Sequence, residues 1–261
     1  MSFVKTKGIV LREIKTGDAD KLLVFLTQEY GKITVLAPGA RRTRSKFVGC
    51  TQWLCYSEIY LYKTKENYRL NDGSIIEPFY NIRDDLDKLY IASFFCDVIK
   101  DVVMQNVYAK QELRLLLNSL YYISRGQKDV GLVVSVFRIR ILLSSGMAPL
   151  VEGCIVCNSS FESMEKKEYF FDFNRCGIVC GQCAKEMGRE EKRKSEKKKE
   201  NDRDDLIKIL PGTFFLIRHI VQASLEDLFK FDVSDEVKNQ VDRVSQKFLN
   251  ERLEKEYKVG G

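Results

Sequence analysis

Two short cysteine pairs are the residues of this chain whose type and spacing most directly indicate chemistry. The pairs are Cys154-x2-Cys157 and Cys180-x2-Cys183, with twenty-two residues between them, in a chain that has one histidine. Two intervening residues let one tight turn direct both sulfurs at the same metal, and a second such turn completes the tetrahedral thiolate set that Zn²⁺ takes in closed sites. The spacing therefore predicts one structural zinc site whose ligands are all four cysteines.

The second pair leaves a choice of ligands. Cys176 forms a competing Cys176-x3-Cys180 pair, but the two-residue spacing of Cys180 and Cys183 matches the first pair and is preferred. Cys176 is then a spare ligand or an unliganded thiol. We expect Gly153 and Gly181 to supply the backbone freedom that the two turns need.

Two other uses of the cysteines fit the sequence less well. Structural disulfides are disfavoured because eight cysteines in 261 residues is far from the density of disulfide-stabilised chains. Three of the eight, Cys50, Cys55 and Cys96, also lie in ordinary hydrophobic segments. A catalytic zinc is disfavoured because four protein thiolates leave no open coordination position for water or substrate.

Composition limits the class of protein. Hydrophobic residues make up 44% of the chain and there are only four prolines, which is typical of a folded globular protein. The first residues lack a basic segment followed by an apolar run of signal-peptide length, and no stretch approaches eighteen apolar residues. We therefore expect a soluble, cytoplasmic protein. The net charge of +6, from 43 Lys and Arg against 37 Asp and Glu, indicates an acidic partner only where the cations cluster.

The cations cluster in two segments of different character. The first segment follows a Pro-Gly turn and contains four cations and no acid: Arg41, Arg42, Arg44 and Lys46. The second, residues 185–200, contains eight cations and five glutamates. Because mixed signs cancel each other's field within a Debye length, the second segment is expected to be a solvated linker or an exposed helix. The first segment is the candidate for binding phosphates, the alternative being a solvated loop.

The first eighty residues predict five short strands that form a small barrel. Segments rich in Val, Ile, Leu, Phe and Tyr are separated by turns that contain Gly, Pro or Asn. The strands are predicted at Phe3–Ile14, Lys21–Thr27, Lys32–Ala37, Gln52–Tyr62 and Tyr68–Ile76. The fourth strand alternates, which places Tyr56, Tyr60 and Tyr62 on its outer face. Such a face is suited to stacking on bases or, equally, to covering a half-buried sheet.

From residue 84 the hydrophobic period changes to that of a helix. Apolar residues recur at three- and four-residue steps in three segments. These segments are residues 86–102, 113–121 and 130–141. Gly146 is placed to end the third helix with a left-handed cap. After the charged segment, Pro211 begins a further helix and Ser234 precedes the last one.

No catalytic constellation accompanies these elements. The sequence has no nucleophile and base pair, no Gly-x4-Gly-Lys-Ser/Thr phosphate loop and no paired-carboxylate motif in a recognisable setting. The one histidine, His219, lies in an apolar helical segment and is expected to pack there or to be partly exposed. The acidic pairs Asp84-Asp85 and Asp204-Asp205 lie near helix starts, where caps are their simplest role.

The order of these features resembles the RecO family of bacterial recombination mediators. The resemblance covers nearly the whole chain, and it depends on the order of short segments of which none is specific alone. The segments are Lys7–Arg12, Asp18–Leu26, Glu29–Ile33, Ala37–Arg42, Asn81–Leu86, Cys154–Cys157, Gly177–Cys183 and Leu216–Phe229. The family pattern has a glycine shortly before the second cysteine pair, which favours Cys180 and Cys183. Two features depart from that pattern: Cys176, and a Lys/Glu-rich segment at 185–205 that is longer and more charged.

The resemblance implies an α+β protein with two domains. An OB-fold β-barrel at 1–80 would bind DNA, and a mostly α-helical domain at 81–261 would carry a zinc-binding insertion at about 151–185 and a charged linker at about 185–205. On the barrel, Arg41, Arg42, Arg44 and Lys46 would lie at the rim of a groove and contact phosphates without sequence preference.

The resemblance also implies a function without catalysis. The protein would act in DNA repair and recombination by binding single- and double-stranded DNA, annealing complementary strands and helping to load RecA onto SSB-coated single strands. Its partners would be DNA, RecR, the C-terminal tail of SSB and, indirectly, RecA, at the nucleoid and with no membrane. The acidic, apolar SSB tail would need a cation beside an apolar pocket, for which Arg138 and Arg140 are candidates.

Two functions of other classes remain open at this point. A nuclease or nucleotidyltransferase would use the zinc module for docking, but it requires clustered acidic residues to hold Mg²⁺, and the sequence has no such cluster. The alternative is a zinc-ribbon factor that binds RNA or associates with transcription.

Overall fold

The N-terminal strands close into a barrel in the computed structural model of the chain, which describes residues 2–64, 67–161, 168–194 and 205–258. The strands are β1 (Ser2–Thr16), β2 (Asp20–Thr27), β3 (Gly31–Ala37), β4 (Tyr56–Lys63) and β5 (Tyr68–Glu77). They follow the order β1-β2-β3-β5-β4 around the barrel, with β3 and β5 parallel and the other pairs antiparallel. This is the five-stranded Greek-key arrangement of the OB-fold, so the predicted fold class is confirmed.

Alternation along the strands builds the core of the barrel. Ile33 and Val35 of β3 point inward with Ile59 and Leu61 of β4, and all four are at most 2% exposed. Burial of each such side chain stabilises the fold by about 1.5–3 kcal/mol relative to exposure. The same period turns Tyr62 outward, so the predicted tyrosine face of β4 lies on the outside of the barrel.

The fourth strand begins four residues later than the sequence pattern predicts. Residues 38–55 form a series of turns, and β4 starts at Tyr56 and not at Gln52. Leu54 adopts a left-handed conformation with φ 63°, which a strand cannot accommodate. Its backbone N–H donates to Val10 O at 3.0 Å, and Trp53 Nε1 donates to Leu11 O at 3.1 Å. The alternating residues before Tyr56 therefore belong to a loop that is anchored to β1, and not to a strand.

Three helices follow the barrel in the same compact unit, which is Met1–Lys128 with Lys258–Gly261. They are α1 (Tyr80–Arg83), α2 (Leu86–Val102) and α3 (Lys110–Arg125). Asp85 caps α2 as predicted, because its carboxylate accepts from the backbone N–H groups of Asp87 and Lys88. The domain boundary at residues 80 and 81 stays a prediction, whereas contacts group α2 and α3 with the barrel.

The second compact unit, Asp129–Tyr257, combines helices with a small sheet. Its elements are α4 (Val130–Ser144), β6 (Tyr169–Asp172), β7 (Gly177–Cys180), α5 (Gly181–Lys194), β8 (Leu206–Ile209), α6 (Pro211–Gln222) and α7 (Asp235–Arg252). The strands pair antiparallel in the order β7-β6-β8. The helix periodicity predicted α4, α6 and α7, but the four-residue strands were not predicted.

The ends of α4 and the packing of α6 follow from local chemistry. Gly146 has φ 73°, its N–H donates to Leu143 O, and the N–H of Met147 donates to Leu142 O, which is the left-handed cap predicted for α4. In the core of this unit, the ring of Phe214 on α6 stacks on Tyr169 of β6 at a centroid distance of 4.2 Å. His219 is partly exposed on α6, with Nε2 3.2 Å from Asp227 O.

The charged segment begins as a helix. Residues 185–194 belong to α5, and the rest of the predicted linker up to Asp204 lies outside the described residues. Asp205 is not a helix cap: its carboxylate accepts from Asn174 Nδ2 at 2.8 Å just before β8. Among the helices that the structure describes, none is long and apolar enough to cross a membrane.

Candidate metal centre and nucleic-acid interface

The first cysteine pair lies on a tight turn between α4 and β6. The backbone N–H of Asn158 donates to Cys154 O at 2.8 Å, and the N–H of Cys154 donates to Ser159 O at 3.0 Å. Asn158 takes the left-handed conformation that closes the turn, with φ 58°. This turn places Cys154 and Cys157 on the same side of the loop.

The second pair lies where β7 passes into α5. Cys180 is the last residue of the strand and Cys183 lies in the first turn of the helix. The backbone N–H of Cys180 donates to Cys154 Sγ at 3.3 Å, and Cys180 Sγ lies 3.9 Å from Cys157 Sγ. All four Sγ atoms lie within 4.8 Å of one another. The structure thus brings together the four residues that the spacing selected; we name them the four-cysteine cluster.

The geometry of the four-cysteine cluster fits a tetrahedral thiolate site. Zn–S bonds of 2.3 Å imply sulfur–sulfur distances of about 3.8 Å, close to the 3.9 Å between Cys157 and Cys180. Hydrogen bonding between Cys157 and Ser159, through the side chain of Ser159 and then its backbone, lowers the pKa of Cys157 to about 6. Burial raises the pKa of Cys180 and Cys183. Four cysteine sulfurs suit a soft divalent metal, whose binding would release the thiol protons.

The glycines near the cysteines act differently from what the sequence predicts. Neither Gly153 nor Gly181 has a positive φ, so conformational freedom is not their role. A Cβ at Gly153 would lie 3.1 Å from Ser159 O, and one at Gly181 would lie 2.9 Å from the side chain of Glu168. Close approach of neighbouring atoms therefore favours glycine at both positions, and more strongly at Gly181.

The four-cysteine cluster is joined to the small sheet of the second unit. The N–H of Ile155 donates to Ile178 O at 3.0 Å, and the N–H of Ile178 donates to Leu150 O at the same distance. Between them, Gly177 leaves no room for a Cβ, which would lie 2.6 Å from Ile155 Cγ2. The turn that carries the first cysteine pair is therefore fixed on β7, whose last residue is Cys180 of the second pair.

Cys176 lies outside the cluster. It occupies the turn between β6 and β7 with φ 56°, and its Sγ accepts a hydrogen bond from Arg252 Nη1 at 2.8 Å. Of the two roles that the sequence left open for this residue, the geometry favours the unliganded thiol.

The four basic residues 41–46, named here the basic loop, are all exposed on the turns between β3 and β4. The N–H of Arg41 donates to Ala19 O at 2.9 Å, and its guanidinium Nη1 contacts Gly17 O and Asp18 O at 3.3 and 3.2 Å. These contacts attach the loop to the β1–β2 turn. The side chains of Arg42 and Arg44 make no ion pair with any residue that the structure describes.

A cavity of about 840 Å³ opens on the barrel beside the basic loop. Lys46 lines it together with Arg69 and Tyr62, over an apolar floor that includes Leu36 and Phe47. The Lys46 ammonium lies 3.5 Å from the carboxylate of Asp72, with both side chains more than half exposed, so solvent weakens this pair. The cavity combines cations, an aromatic ring and an apolar floor.

Sequence reasoning missed Arg69 as a residue of this site. Arg69 lies on β5 opposite Tyr62 of β4. This pairing follows from the register of the barrel strands, which the sequence pattern does not show. Arg138 and Arg140, the cations expected beside an apolar pocket for the SSB tail, both make contacts within the second unit. Arg138 is 4% exposed and bonds to the Asp242 carboxylate at 2.6 Å, and Arg140 Nη1 donates to the carbonyls that end α6 at 2.8 and 2.9 Å.

Comparison with known proteins identifies the family of the chain. A family model described as "Recombination protein O N terminal" matches residues 1–79, and one described as "Recombination protein O C terminal" matches residues 83–259. The chain belongs to the RecO family. RecO membership supports a role in DNA repair and recombination, as the resemblance in the sequence implied.

Curated RecO relatives align with the chain over nearly its full length. The protein named "DNA repair protein RecO" of Acetivibrio thermocellus is 40% identical over 258 residues, which are 98% of this chain and 94% of that protein. The protein of the same name from Caldicellulosiruptor saccharolyticus is 30% identical over 99% of this chain and 97% of its own. That of Clostridium novyi is 25% identical over 99% and 92%.

Proposed function

We propose that this RecO-family chain binds single- and double-stranded DNA, anneals complementary strands and helps to load RecA onto SSB-coated single strands. The observation that carries the proposal is the exposed basic loop beside the cavity of an OB barrel. OB barrels bind nucleic acids in a charged groove with aromatic side chains available for stacking, and this cavity has both kinds of residue.

The basic loop is suited to phosphates and not to base edges. Its cations lie on a turn that is anchored by Arg41 to the β1–β2 turn, so they stand at a defined position on the barrel. Arg42 and Arg44 are exposed and keep their donors available for a ligand. Contacts of this kind are insensitive to sequence, and they give an affinity that falls as salt concentration rises.

Annealing by such a surface needs no catalytic residue. Two DNA strands repel each other through their phosphates, and a surface that neutralises part of this charge lowers the cost of bringing them together. We therefore expect no enzymatic activity and no requirement for Mg²⁺.

We propose Zn²⁺ as the metal of the four-cysteine cluster, in a structural role. Four thiolates fill a tetrahedral coordination sphere, which leaves no position for a substrate. The ligands of the proposed zinc site come from two separate parts of the second unit, the turn at Cys154–Cys157 and the β7–α5 junction. Metal binding would therefore join these segments and contribute to folding.

We also propose RecR and the C-terminal tail of SSB as partners, with RecA engaged indirectly. The SSB tail needs an apolar pocket beside a cation. Arg138 and Arg140 are both committed to contacts inside the second unit, so the receptor requires a different cation. The tail would recruit the protein to coated strands, and the barrel would then capture exposed phosphates.

One experiment separates this function from the others. Affinity is measured for single-stranded DNA, duplex DNA and RNA, and annealing of complementary strands is followed with and without Mg²⁺. We expect binding to both forms of DNA and annealing that does not require the metal ion. Binding to RNA without annealing of DNA would favour the RNA-binding alternative, and Mg²⁺-dependent cleavage would favour an enzyme.

A further inference from the structure

The outer surface where β1 meets β4 carries an alternating set of aromatic and basic side chains. Cross-strand pairing places Phe3 opposite Tyr62, Lys5 opposite Tyr60, and Lys7 opposite Glu58. Residues two apart on a strand point to the same side, so all six share one face. We call the three aromatic residues and the two lysines of this face the aromatic wall.

The aromatic rings of the wall contact one another and remain open to solvent. The ring of Phe3 lies 5.5 Å from that of Tyr62 in an edge arrangement and 6.1 Å from that of Tyr60. Phe3 is 54% exposed and Tyr62 is 43% exposed. These rings are not part of the hydrophobic core of the barrel. A cluster of solvent-exposed aromatic rings indicates a binding surface.

The cations of the wall are interleaved with its rings. The Lys5 ammonium lies 5.3 Å from the centre of the Tyr60 ring and 3.1 Å from the Glu58 carboxylate, which also accepts from the Tyr60 hydroxyl at 2.9 Å. Glu58 therefore holds Lys5 and Tyr60 in place. Lys7 is exposed and makes no ion pair within the described part of the chain, so the wall keeps a net positive charge.

The wall is continuous with the cavity beside the basic loop. Tyr62 belongs to both surfaces, because it lines the cavity and contacts Phe3. Arg69, the cross-strand neighbour of Tyr62 on β5, also lines the cavity. A chain that leaves the cavity past Tyr62 therefore reaches Phe3 and then Lys5.

We propose that the aromatic wall stacks the unpaired bases of a DNA single strand and extends the path that begins at the basic loop and the cavity. This inference rests on the proposed function. Rings at Phe3 and Tyr62 present faces and edges to bases, and Lys5 and Lys7 lie about 6.6–6.8 Å apart along β1, where they meet successive phosphates.

The chemistry of the wall favours a single strand over other occupants. Bases in a duplex already stack on each other, so they gain nothing from exposed rings, whereas unpaired bases do. Alternation of rings and cations matches a ligand that alternates bases and phosphates. The wall would thus add affinity for single strands, while the basic loop binds phosphates of either form.

The test measures affinity for an oligothymidylate, for an abasic strand of the same length and for a duplex. In Phe3→Ala and Tyr62→Ala we expect a loss of affinity for oligothymidylate of roughly five- to a hundredfold. Affinity of Phe3→Ala for the abasic strand and the duplex should stay at the wild-type value, because neither ligand presents unpaired bases and Phe3 does not line the cavity. Tyr121→Ala, which removes a ring of 44% exposure on α3, is the matched control and should change none of the three.

A second measurement detects stacking directly and does not rely on a loss of affinity for DNA. Phe3→Trp places an indole on the wall, and stacking on thymine should quench its fluorescence on addition of oligothymidylate but not of the abasic strand. Trp53 in the wild-type chain supplies the background signal.

Specific outcomes would overturn the proposal. Wild-type affinity for oligothymidylate in both alanine variants, or no quenching in Phe3→Trp, would exclude base stacking at the wall. The exposed rings would then indicate an interface with another protein. If the wild-type protein binds none of the three ligands, the proposed function fails as well. If it binds and only the basic-loop variants lose affinity, the inference alone is wrong.

Discussion

The thiol of Cys176 accepts a hydrogen bond from the guanidinium of Arg252 at 2.8 Å. Arg252 is the last residue of α7, and its second Nη atom donates to Phe173 O at 3.1 Å. The two contacts join the end of α7 to the turn between β6 and β7. Cys176 therefore has a packing role outside the four-cysteine cluster.

We expect loss of a cluster cysteine to release the metal. Cys154→Ser and Cys180→Ser should each lower the zinc content of the purified protein and its Tm, because binding to four thiolates is coupled to folding. Cys176→Ser is the matched control and should retain the metal, since its sulfur contacts Arg252. Metal analysis and thermal unfolding give both readouts. Purified protein without zinc, or full zinc retention in Cys180→Ser, would contradict the assignment.

The basic loop should control the salt dependence of DNA binding. Each cation that contacts a phosphate should reduce the log–log salt slope of single-strand binding by about 0.7 when it is replaced by alanine. We expect this effect in Arg42→Ala and Arg44→Ala, whose side chains are free of ion pairs within the described residues. Arg243→Ala, on the exposed side of α7, should leave the slope unchanged.

The contrary result for the loop is also defined. A variant with alanine at Arg41, Arg42, Arg44 and Lys46 together that keeps the wild-type affinity and slope would move the DNA surface elsewhere. Sequence preference should be flat in every variant, because phosphates carry no sequence information.

Removal of the partner of Arg138 should destabilise the second unit. Asp242→Ala leaves a guanidinium that is 4% exposed without its carboxylate, which should cost about 1–3 kcal/mol of unfolding free energy. Chemical denaturation measures this change. Lys230→Ala removes one member of the exposed pair with Asp227 and should change stability by less than about 1 kcal/mol. Equal effects of the two substitutions would show that the buried position of Arg138 is unimportant.

Gly31 should tolerate no side chain. It has φ 57°, and a Cβ there would lie 2.1 Å from Val107 O, in the loop that follows α2. Gly31→Ala should therefore lower the free energy of unfolding by more than the left-handed penalty of about 1–2 kcal/mol, and Tm should fall accordingly. Gly17→Ala has a similar φ of 52° with open space around it, so it isolates that penalty. A similar Tm for the two variants would mean that the loop moves freely away from β3.

Deletion of the SSB tail should separate two activities. If the tail recruits the protein and the barrel captures phosphates, annealing of SSB-coated strands should be abolished while annealing of naked strands is unchanged. The annealing rate of both substrates is measured with intact and truncated SSB. Equal loss on both substrates, or no loss on coated strands, would contradict the two-site mechanism.

Short-range patterns in the sequence determined much of the fold. The two-residue spacing selected Cys154, Cys157, Cys180 and Cys183, because a tight turn depends only on neighbouring residues. The helical periodicity predicted α4 and α7, and Gly146 marked the end of α4, since a left-handed cap is a local property.

Tertiary structure alone decided the features that depend on distant partners. The strands β6, β7 and β8 have four residues each, too few for a period to show, and β8 pairs with β6 from a distant part of the sequence. The buried guanidinium of Arg138 is paired with the carboxylate of Asp242 on α7. This partner lies 104 residues away in the sequence, so composition cannot predict it.

The residues of the proposed nucleic-acid interface were visible in the sequence only in part. The cluster of Arg41, Arg42, Arg44 and Lys46 is visible in the sequence because like charges are adjacent. The position of Tyr62 between the cavity and Phe3 is not, because it follows from the closure of the barrel, which pairs β4 with both β1 and β5. Residue types were therefore readable from the sequence, and their assembly into one surface required the register of the strands.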